Sequence, residues 1–201
     1  MATSSPQRLP RSARRAQLLE VAAAAFLERG FDGTSMEDVA QRAGVSRLIV
    51  YRIFESKADL YRAVLRMMLV DMGAHFAGFQ PDLMGGRGVA HVMVPIARAH
   101  PDAFRLLWRH TANEPEFHDI AVEFDGHVTS FARQILRHYL HDEVLLQWAA
   151  HAVSAHLVDG VCAWLDDGPP ERDEEFATMM TVGLRALAAS WSNHVRRTDA
   201  T

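Results

Sequence analysis

Apolar residues recur three and four positions apart along nearly the whole chain, which is the spacing of one face of an α-helix. The stripe of the first predicted helix consists of Leu18, Ala22, Ala25 and Phe26. β-branched runs are short, and no strand-like alternation of apolar and polar residues lies between turn signals. The pattern therefore predicts an all-α protein.

Glycine, proline and capping residues divide this pattern into segments. Pro81 and three glycines between 80 and 88 are expected to break a long helix that begins after Ser56, and Asn113 and Asp142 are expected to cap later helices. The predicted helices cover about 12–29, 34–43, 46–54, 57–79, 89–99, 102–111, 113–139, 142–168 and 171–191.

Residues 34–57 contain two helix starts and one tight turn. Thr34 and Ser35 are each followed three residues later by an acid, so either can form a capping box. Gly44 ends this helix, because glycine enters the left-handed conformation without steric cost, and Ser46 is the N-cap of the next helix. This order of elements predicts a helix-turn-helix.

The second helix of this segment has two distinct faces. Its apolar face is expected to join a small core made of Phe26, Phe31, Val39, Val45, Val50 and Phe54. The opposite face carries Arg47, Leu48, Tyr51 and Arg52, which we expect to touch DNA. The alternative to DNA binding is that the three helices are only a packing module. For Tyr51, the alternative is that its ring only covers the edge of the core.

Residues 30–60 resemble the DNA-binding domain of the TetR family of transcriptional regulators. The resemblance runs in register through Phe26, Gly30-Phe31, Thr34-Ser35, Val39-Ala40, Ala43-Gly44-Val45-Ser46, Val50-Tyr51, Phe54 and Ser56-Lys57. It implies that the helix after Ser46 lies in the major groove. It implies contacts to bases or phosphates from Thr34, Ser35, Ser46, Arg47, Tyr51 and Lys57.

The resemblance also implies a homodimer formed by the last two long helices, and a small molecule bound among the middle helices that changes the spacing of the two heads. The function expected is that of a repressor released from a near-palindromic operator. Two positions depart from the family pattern. Leu48 stands where a small residue is common, and can press on a thymine methyl. Ile53 replaces a histidine or tyrosine, so no phosphate contact is carried over there.

Composition and charge agree with an N-terminal region, the head, and a C-terminal region, the body, that bind different partners. The chain has 201 residues, of which 49% are hydrophobic, and a formal charge of −4. Residues 1–62 have ten basic and seven acidic side chains, net +3, whereas 63–201 have eleven and eighteen, net −7. We therefore expect a flexible arm over 1–11, a DNA-binding domain over 12–56 and an effector-binding and dimerisation domain over 57–201. The arm either reaches phosphates or is a solvated tail.

The single cysteine, Cys162, excludes an internal disulfide framework and zinc-finger spacing. The apolar run 21–27 is too short for a signal or membrane segment, so we expect a cytoplasmic protein with no membrane partner. His138 and His141 have a spacing compatible with a metal, but a third and fourth ligand are not evident, and we expect neither metal nor cofactor. No nucleophile and base can be paired from the sequence, so no enzyme activity is expected.

Aromatic residues, methionine and histidines in the body suggest a ligand pocket. The candidates are Met93, Phe104, Trp108, Phe124, His127, Phe131, Trp148 and His151. For each one alone, core packing is the alternative. Two other functions remain open at this stage: a DNA-binding dimer without an effector, and a helical-bundle enzyme or carrier in which the head is only a scaffold.

Overall fold

The computed structural model describes residues 9–79, 87–111 and 114–198, with side chains described as far as His194. The described residues form helices and contain no strand. The helices are α1 (Arg11–Arg29), α2 (Met36–Arg42), α3 (Arg47–Tyr51), α4 (Lys57–Phe76), α5 (Ala90–Ala99), α6 (Pro101–Arg105), α7 (His118–Leu136), α8 (Glu143–Asp167) and α9 (Asp173–Thr198). The all-α prediction is confirmed.

Most predicted helices are present, with ends that differ by a few residues. Helix α4 stops at Phe76 rather than Phe79, and α6 passes into one π-helical turn, Leu106–His110. The Leu106 carbonyl accepts the Thr111 backbone N–H, which closes the wide turn, and also accepts the Thr111 hydroxyl at 3.0 Å. Helix α7 begins only at His118, after a 3₁₀ turn at Pro115–Phe117. The predicted Asn113 cap, the break over 80–86 and most of the arm lie outside the described residues.

The N-terminal head consists of α1, α2 and α3 around a shared core. Helix α1 ends at Gly30, which has a φ of 74°, and Gly44 turns the chain between α2 and α3 with a φ of 65°. Both values lie in the left-handed region, which glycine adopts without steric cost. The predicted core members Phe26, Val39, Val50 and Phe54 are buried, and Phe31 and Val45 pack against them half-buried. The predicted head core is therefore confirmed.

Helix α4 connects the head to the body. Its 20 residues extend about 30 Å at the helical rise. Helix α1 packs against both α4 and α6, and one continuous set of buried residues extends from the head into the body. The domain boundary near residue 56 therefore stays a prediction, because the hydrophobic core continues across it.

The body is formed by α5 to α9, with α7 and α8 packed along each other and α9 across α5 and α8. A second, smaller buried cluster lies where the end of α7 meets α8 and α9. The exposed large apolar side chains of α8 and α9 are Val144, Leu145, Trp148, Met179, Val182 and Leu187. The last two helices therefore present apolar surface that the single chain leaves uncovered.

Candidate nucleic-acid interface and internal cavity

Ser35 forms the capping box that begins α2. Its hydroxyl accepts from the Asp38 backbone N–H at 3.1 Å and donates to Asp38 Oδ2 at 2.6 Å, and the same Oδ2 accepts from the Ser35 N–H at 2.9 Å. These hydrogen bonds lower the pKa of Asp38. Of the two capping alternatives, the structure selects Ser35, which remains exposed at the head surface.

Thr34 has a structural role that the family resemblance does not imply. Its side chain is 2% exposed, and its hydroxyl lies 2.9 Å from the Gly30 carbonyl and 3.1 Å from the Ala25 carbonyl. The hydroxyl proton is thus held by the end of α1. This buried side chain fixes the loop that leads into α2, and the contact to DNA from Thr34 stays a prediction.

Helix α3 presents the predicted polar face to solvent. Val50 is completely buried, which turns Arg47, Leu48 and Tyr51 outward, and Leu48 is 67% exposed. Arg47 Nη2 donates to the Tyr51 hydroxyl oxygen at 3.2 Å and its guanidinium lies 5.1 Å from the ring centre. The tyrosine O–H remains able to donate to a phosphate.

Three other predicted contact residues flank this face. Ser46 is the extended N-cap of α3, and its exposed hydroxyl makes no capping hydrogen bond. Arg52 is exposed at the end of the same helix. The Lys57 ammonium donates to the Phe31 carbonyl at 2.7 Å and lies 4.2 Å from the Phe31 ring centre. Since an ammonium has three donors, Lys57 can still reach a phosphate while it holds this loop.

The body encloses a cavity of about 400 Å³ between α4, α5, α7, α8 and α9. Its volume lies in the range of small-molecule pockets, about 300–1,000 Å³. Four of the eight candidate pocket residues line it, namely Met93, Phe124, His127 and Phe131. These four residues lie on α5 and α7, and their contact with an effector stays a prediction.

The other four candidates lie elsewhere, and each has a physical reason. Phe104 is 1% exposed in the core, and Trp108 packs edge-on against Phe124 while its Nε1 donates to Asp159 at 2.6 Å. Trp148 is 58% exposed, beside Trp191. His151 is exposed one turn further along α8. Phe104 and Trp108 are thus used in packing, and Trp148 and His151 face away from the cavity.

Sequence reasoning missed the contribution of α4, α8 and α9. The described lining residues from these helices include Leu69, Met72, Phe76, Val153, Ser154, Leu157, Thr181, Leu184 and Ala188. Their helices are apolar on more than one side, so periodicity alone does not separate a cavity wall from a packed core.

The other chemically active residues considered from the sequence are His138, His141 and Cys162. Within the described ranges, no three histidine, cysteine, aspartate or glutamate side chains are grouped as metal ligands, and His138 and His141 are both exposed. Cys162 is fully buried, and burial raises the pKa of its thiol from 9.0 to about 11.

A polar and aromatic contact connects α7, which lines the cavity, to α4, which follows the head. Arg62 on α4 donates to both carboxylate oxygens of Asp119 on α7, at 3.1 and 3.0 Å, and also to the Glu116 carbonyl. Its guanidinium lies 5.0 Å from the ring centre of Phe117. The start of α7 is therefore attached to the part of α4 that adjoins the head.

Together these features define an all-α protein with a helix-turn-helix head and a helical body that encloses a cavity. Residues 18–64 match the family model described as "Bacterial regulatory proteins, tetR family". The head and the start of α4 are therefore similar to the regulators of this family. None of the helices in the part of the chain that the structure describes has the length and apolarity to cross a bilayer.

Two curated relatives and one solved structure illustrate the similarity. The transcriptional activator FasR of Mycolicibacterium smegmatis is 49% identical over 59 residues, 29% of this chain and 27% of FasR. The transcriptional regulator RutR of Escherichia coli K12 is 35% identical over 99 residues, 48% of this chain and 47% of RutR. The chain thus matches between a quarter and a half of the length of these relatives.

The solved structure is a TetR-like transcriptional regulator from Rhodococcus sp. RHA1. It superposes with a TM-score of 0.71 and 19% identity, over 90% of this chain and 99% of that one. At this identity the likeness concerns the fold. Sequence similarity to the curated relatives is thus partial, whereas the fold likeness extends through the body.

Proposed function

We propose that this protein is a sequence-specific DNA-binding transcriptional regulator that acts in the cytoplasm as a homodimer without catalysing a reaction. The observation that supports it best is the outward face of α3, where Arg47, Leu48 and Tyr51 project from a helix held by the buried Val50. Arginine, a phenolic hydroxyl and an exposed aliphatic group are suited to base edges, phosphates and thymine methyls. The net charge of +3 over residues 1–62 favours a polyanion.

The dimer is proposed to form through α8 and α9. Val144 and Trp148 on α8, and Met179 and Val182 on α9, are each more than half exposed. Large apolar groups in such number on two adjacent helices are typical of a surface that a second subunit covers. A twofold pair of heads would then place two α3 helices about 34 Å apart, or a small multiple of this, and select a near-palindromic operator.

The cavity is proposed to hold a small-molecule effector. Helix α7 lines the cavity and is bound at its start to α4 by the Arg62–Asp119 pair. An effector that fits better when α4 is displaced would favour a dimer whose heads no longer match successive grooves. The coupling cannot exceed the difference between the affinities of the effector for the two conformations.

Repression is the proposed sign of regulation, with release by the effector. The relative FasR is named an activator, so the sign needs its own measurement. A reporter gene placed behind the selected operator should be more active when the regulator is absent than when it is present. Lower reporter activity without the regulator would make it an activator and leave the DNA-binding proposal intact.

The DNA-binding assignment is tested by single substitutions on α3. Arg47→Ala and Tyr51→Ala should each lower operator affinity by roughly 5- to 150-fold, corresponding to about 1–3 kcal/mol per contact. Fluorescence anisotropy with a duplex selected from random sequences gives the affinities. Arg137→Ala is the matched control, because Arg137 is an exposed arginine at the far end of α7. Wild-type affinity in both α3 variants would refute the assignment.

A further inference from the structure

We propose that the cavity binds an elongated, uncharged and mainly apolar molecule, with one hydroxyl or carbonyl oxygen that hydrogen-bonds to the Ser154 hydroxyl. This inference deepens the effector site and rests on the proposed function for its regulatory meaning. It concerns the ligand's chemistry, which can be measured without DNA.

The described polar residues of the cavity wall are His127, Tyr139, Ser154, Thr181 and Arg185, and among these Ser154 has a buried polar atom without a hydrogen-bond partner. It lies in the middle of α8, is 3% exposed and lines the cavity, yet its Oγ has no hydrogen-bond partner among the described residues. A serine inside a helix can bond to the carbonyl four residues before it, but Ser154 Oγ does not. A buried hydroxyl without a partner is unfavourable, so a ligand oxygen at this point would satisfy a group that the protein leaves unpaired.

The rest of the described lining favours an apolar ligand without charge. Leucine, methionine, phenylalanine, valine, isoleucine and alanine supply most of the wall, and no described lining residue is acidic. A cationic ligand would therefore be desolvated without an opposite charge. Thr181 donates its hydroxyl to the Ala177 carbonyl at 2.7 Å, and Arg185 already interacts with another group of the protein.

The arrangement of the lining residues gives the ligand its shape. Lining residues on α7 follow one face from Phe124 to Leu136, which is about 18 Å along the helix axis. A molecule extended along α7 can contact this whole row of lining residues.

The test uses four probes that share one apolar chain and differ only at the end group: decan-1-ol, 1-chlorodecane, decanoate and decylammonium. Affinities are measured by displacement of the uncharged fluorophore Nile red from the full-length protein. Decan-1-ol should bind more tightly than either charged probe. Tighter binding of decanoate or decylammonium would overturn the assignment of an uncharged ligand, and so would failure of every probe to displace Nile red.

Ser154→Ala tests the hydrogen bond. The substitution should weaken decan-1-ol binding about 5- to 10-fold, the effect expected for one hydrogen bond, and leave 1-chlorodecane within twofold. Because the variant loses an unpaired buried hydroxyl, its Tm should be unchanged or higher. Thr129→Val is the matched control, since Thr129 Oγ1 is also buried and unpartnered but Thr129 is not among the described lining residues. Equal decan-1-ol affinity in wild type and Ser154→Ala would overturn the inference.

A separate titration distinguishes this inference from the proposed function. If decan-1-ol binds through Ser154 but saturating decan-1-ol leaves operator affinity unchanged, the ligand class stands and the effector role fails. If operator affinity instead responds to decanoate and not to decan-1-ol, regulation stands and the uncharged ligand class is overturned.

Discussion

The ring of Phe117 stacks on the ring of Tyr61, with centroids 4.2 Å apart and planes inclined by 30°. Tyr61 belongs to α4, and Phe117 directly precedes α7, the helix with the longest series of lining residues in the cavity. Phe31 from the head meets both rings edge-on, at 5.3 and 4.9 Å. Phe31 of the head, Tyr61 of α4 and Phe117 at the start of α7 therefore form one aromatic cluster, through which we expect a displacement of α7 to reach the head.

The Arg62–Asp119 contact should contribute to this coupling. In Asp119→Ala, the factor by which saturating decan-1-ol changes operator affinity should fall several-fold, because the start of α7 is released from α4; typical couplings are about 5- to 150-fold. Operator affinity without the probe should change little. The measurement is an anisotropy titration with and without decan-1-ol.

The control for this prediction is Arg172→Ala, which removes an exposed two-point ion pair with Glu175 away from the α4–α7 contact. Undiminished coupling in Asp119→Ala would show that this ion pair does not transmit the shift.

Thr34→Val should destabilise the protein without removing a DNA contact. The substitution takes away the donor that the Gly30 and Ala25 carbonyls share, which should lower the free energy of unfolding by about 1–2 kcal/mol and the Tm by a few degrees. Thr34→Ser keeps the hydroxyl and is the control. If Thr34→Val kept its Tm and lost operator affinity, Thr34 would be a direct contact after all.

Val182→Glu should convert the dimer into a monomer. Val182 is 56% exposed on α9, within the apolar surface proposed to be covered by the second subunit, and a buried unpaired carboxylate is strongly unfavourable. Sedimentation velocity measures the mass. Val70→Glu is the matched control, because Val70 is 72% exposed on α4, outside that surface. A dimer that survives Val182→Glu as well as Val70→Glu would place the interface elsewhere.

Cys162 should be unreactive in the folded protein. Its thiol is buried and its pKa is raised to about 11, so the thiolate is scarce at pH 8. Ellman's reagent should detect no thiol in the native state and one after unfolding in guanidinium, and none in Cys162→Ala under either condition.

The raised pKa of Cys162 also sets the direction of a pH effect. Since the folded pKa exceeds the unfolded value of 9.0, this group's contribution to stability is complete below pH 9 and is lost as the pH rises towards 11. A stability that rose over this range in wild type relative to Cys162→Ala would contradict the assignment.

The sequence predicted the head well because its signals are local. Gly44 takes the positive φ value that its position suggested, and Ser35, one of the two predicted capping residues, caps α2. The outward face of α3 followed from the burial of Val50 on the opposite side. Each of these features depends on residues within a few positions of one another.

The sequence predicted the cavity only in part because a cavity depends on how several helices meet. Phe124 and Trp108 are both aromatic residues on apolar helices, and only the packing of α7 against its neighbours places the first at the wall and the second beside Asp159. The burial of Thr34 was not predicted for a similar reason. Its two acceptors, Ala25 and Gly30, belong to the preceding helix and its end, and the sequence does not show that they close over its hydroxyl.

Selection of bound sequences from a pool of random duplexes tests the central claim most directly. The purified full-length protein should enrich a near-palindromic sequence whose half-site centres lie one helical turn, about 10 base pairs, or a small multiple of this apart. Arg47→Ala, carried through the same selection, should enrich it weakly or not at all. Absence of any enriched sequence with wild-type protein at low salt would contradict the account.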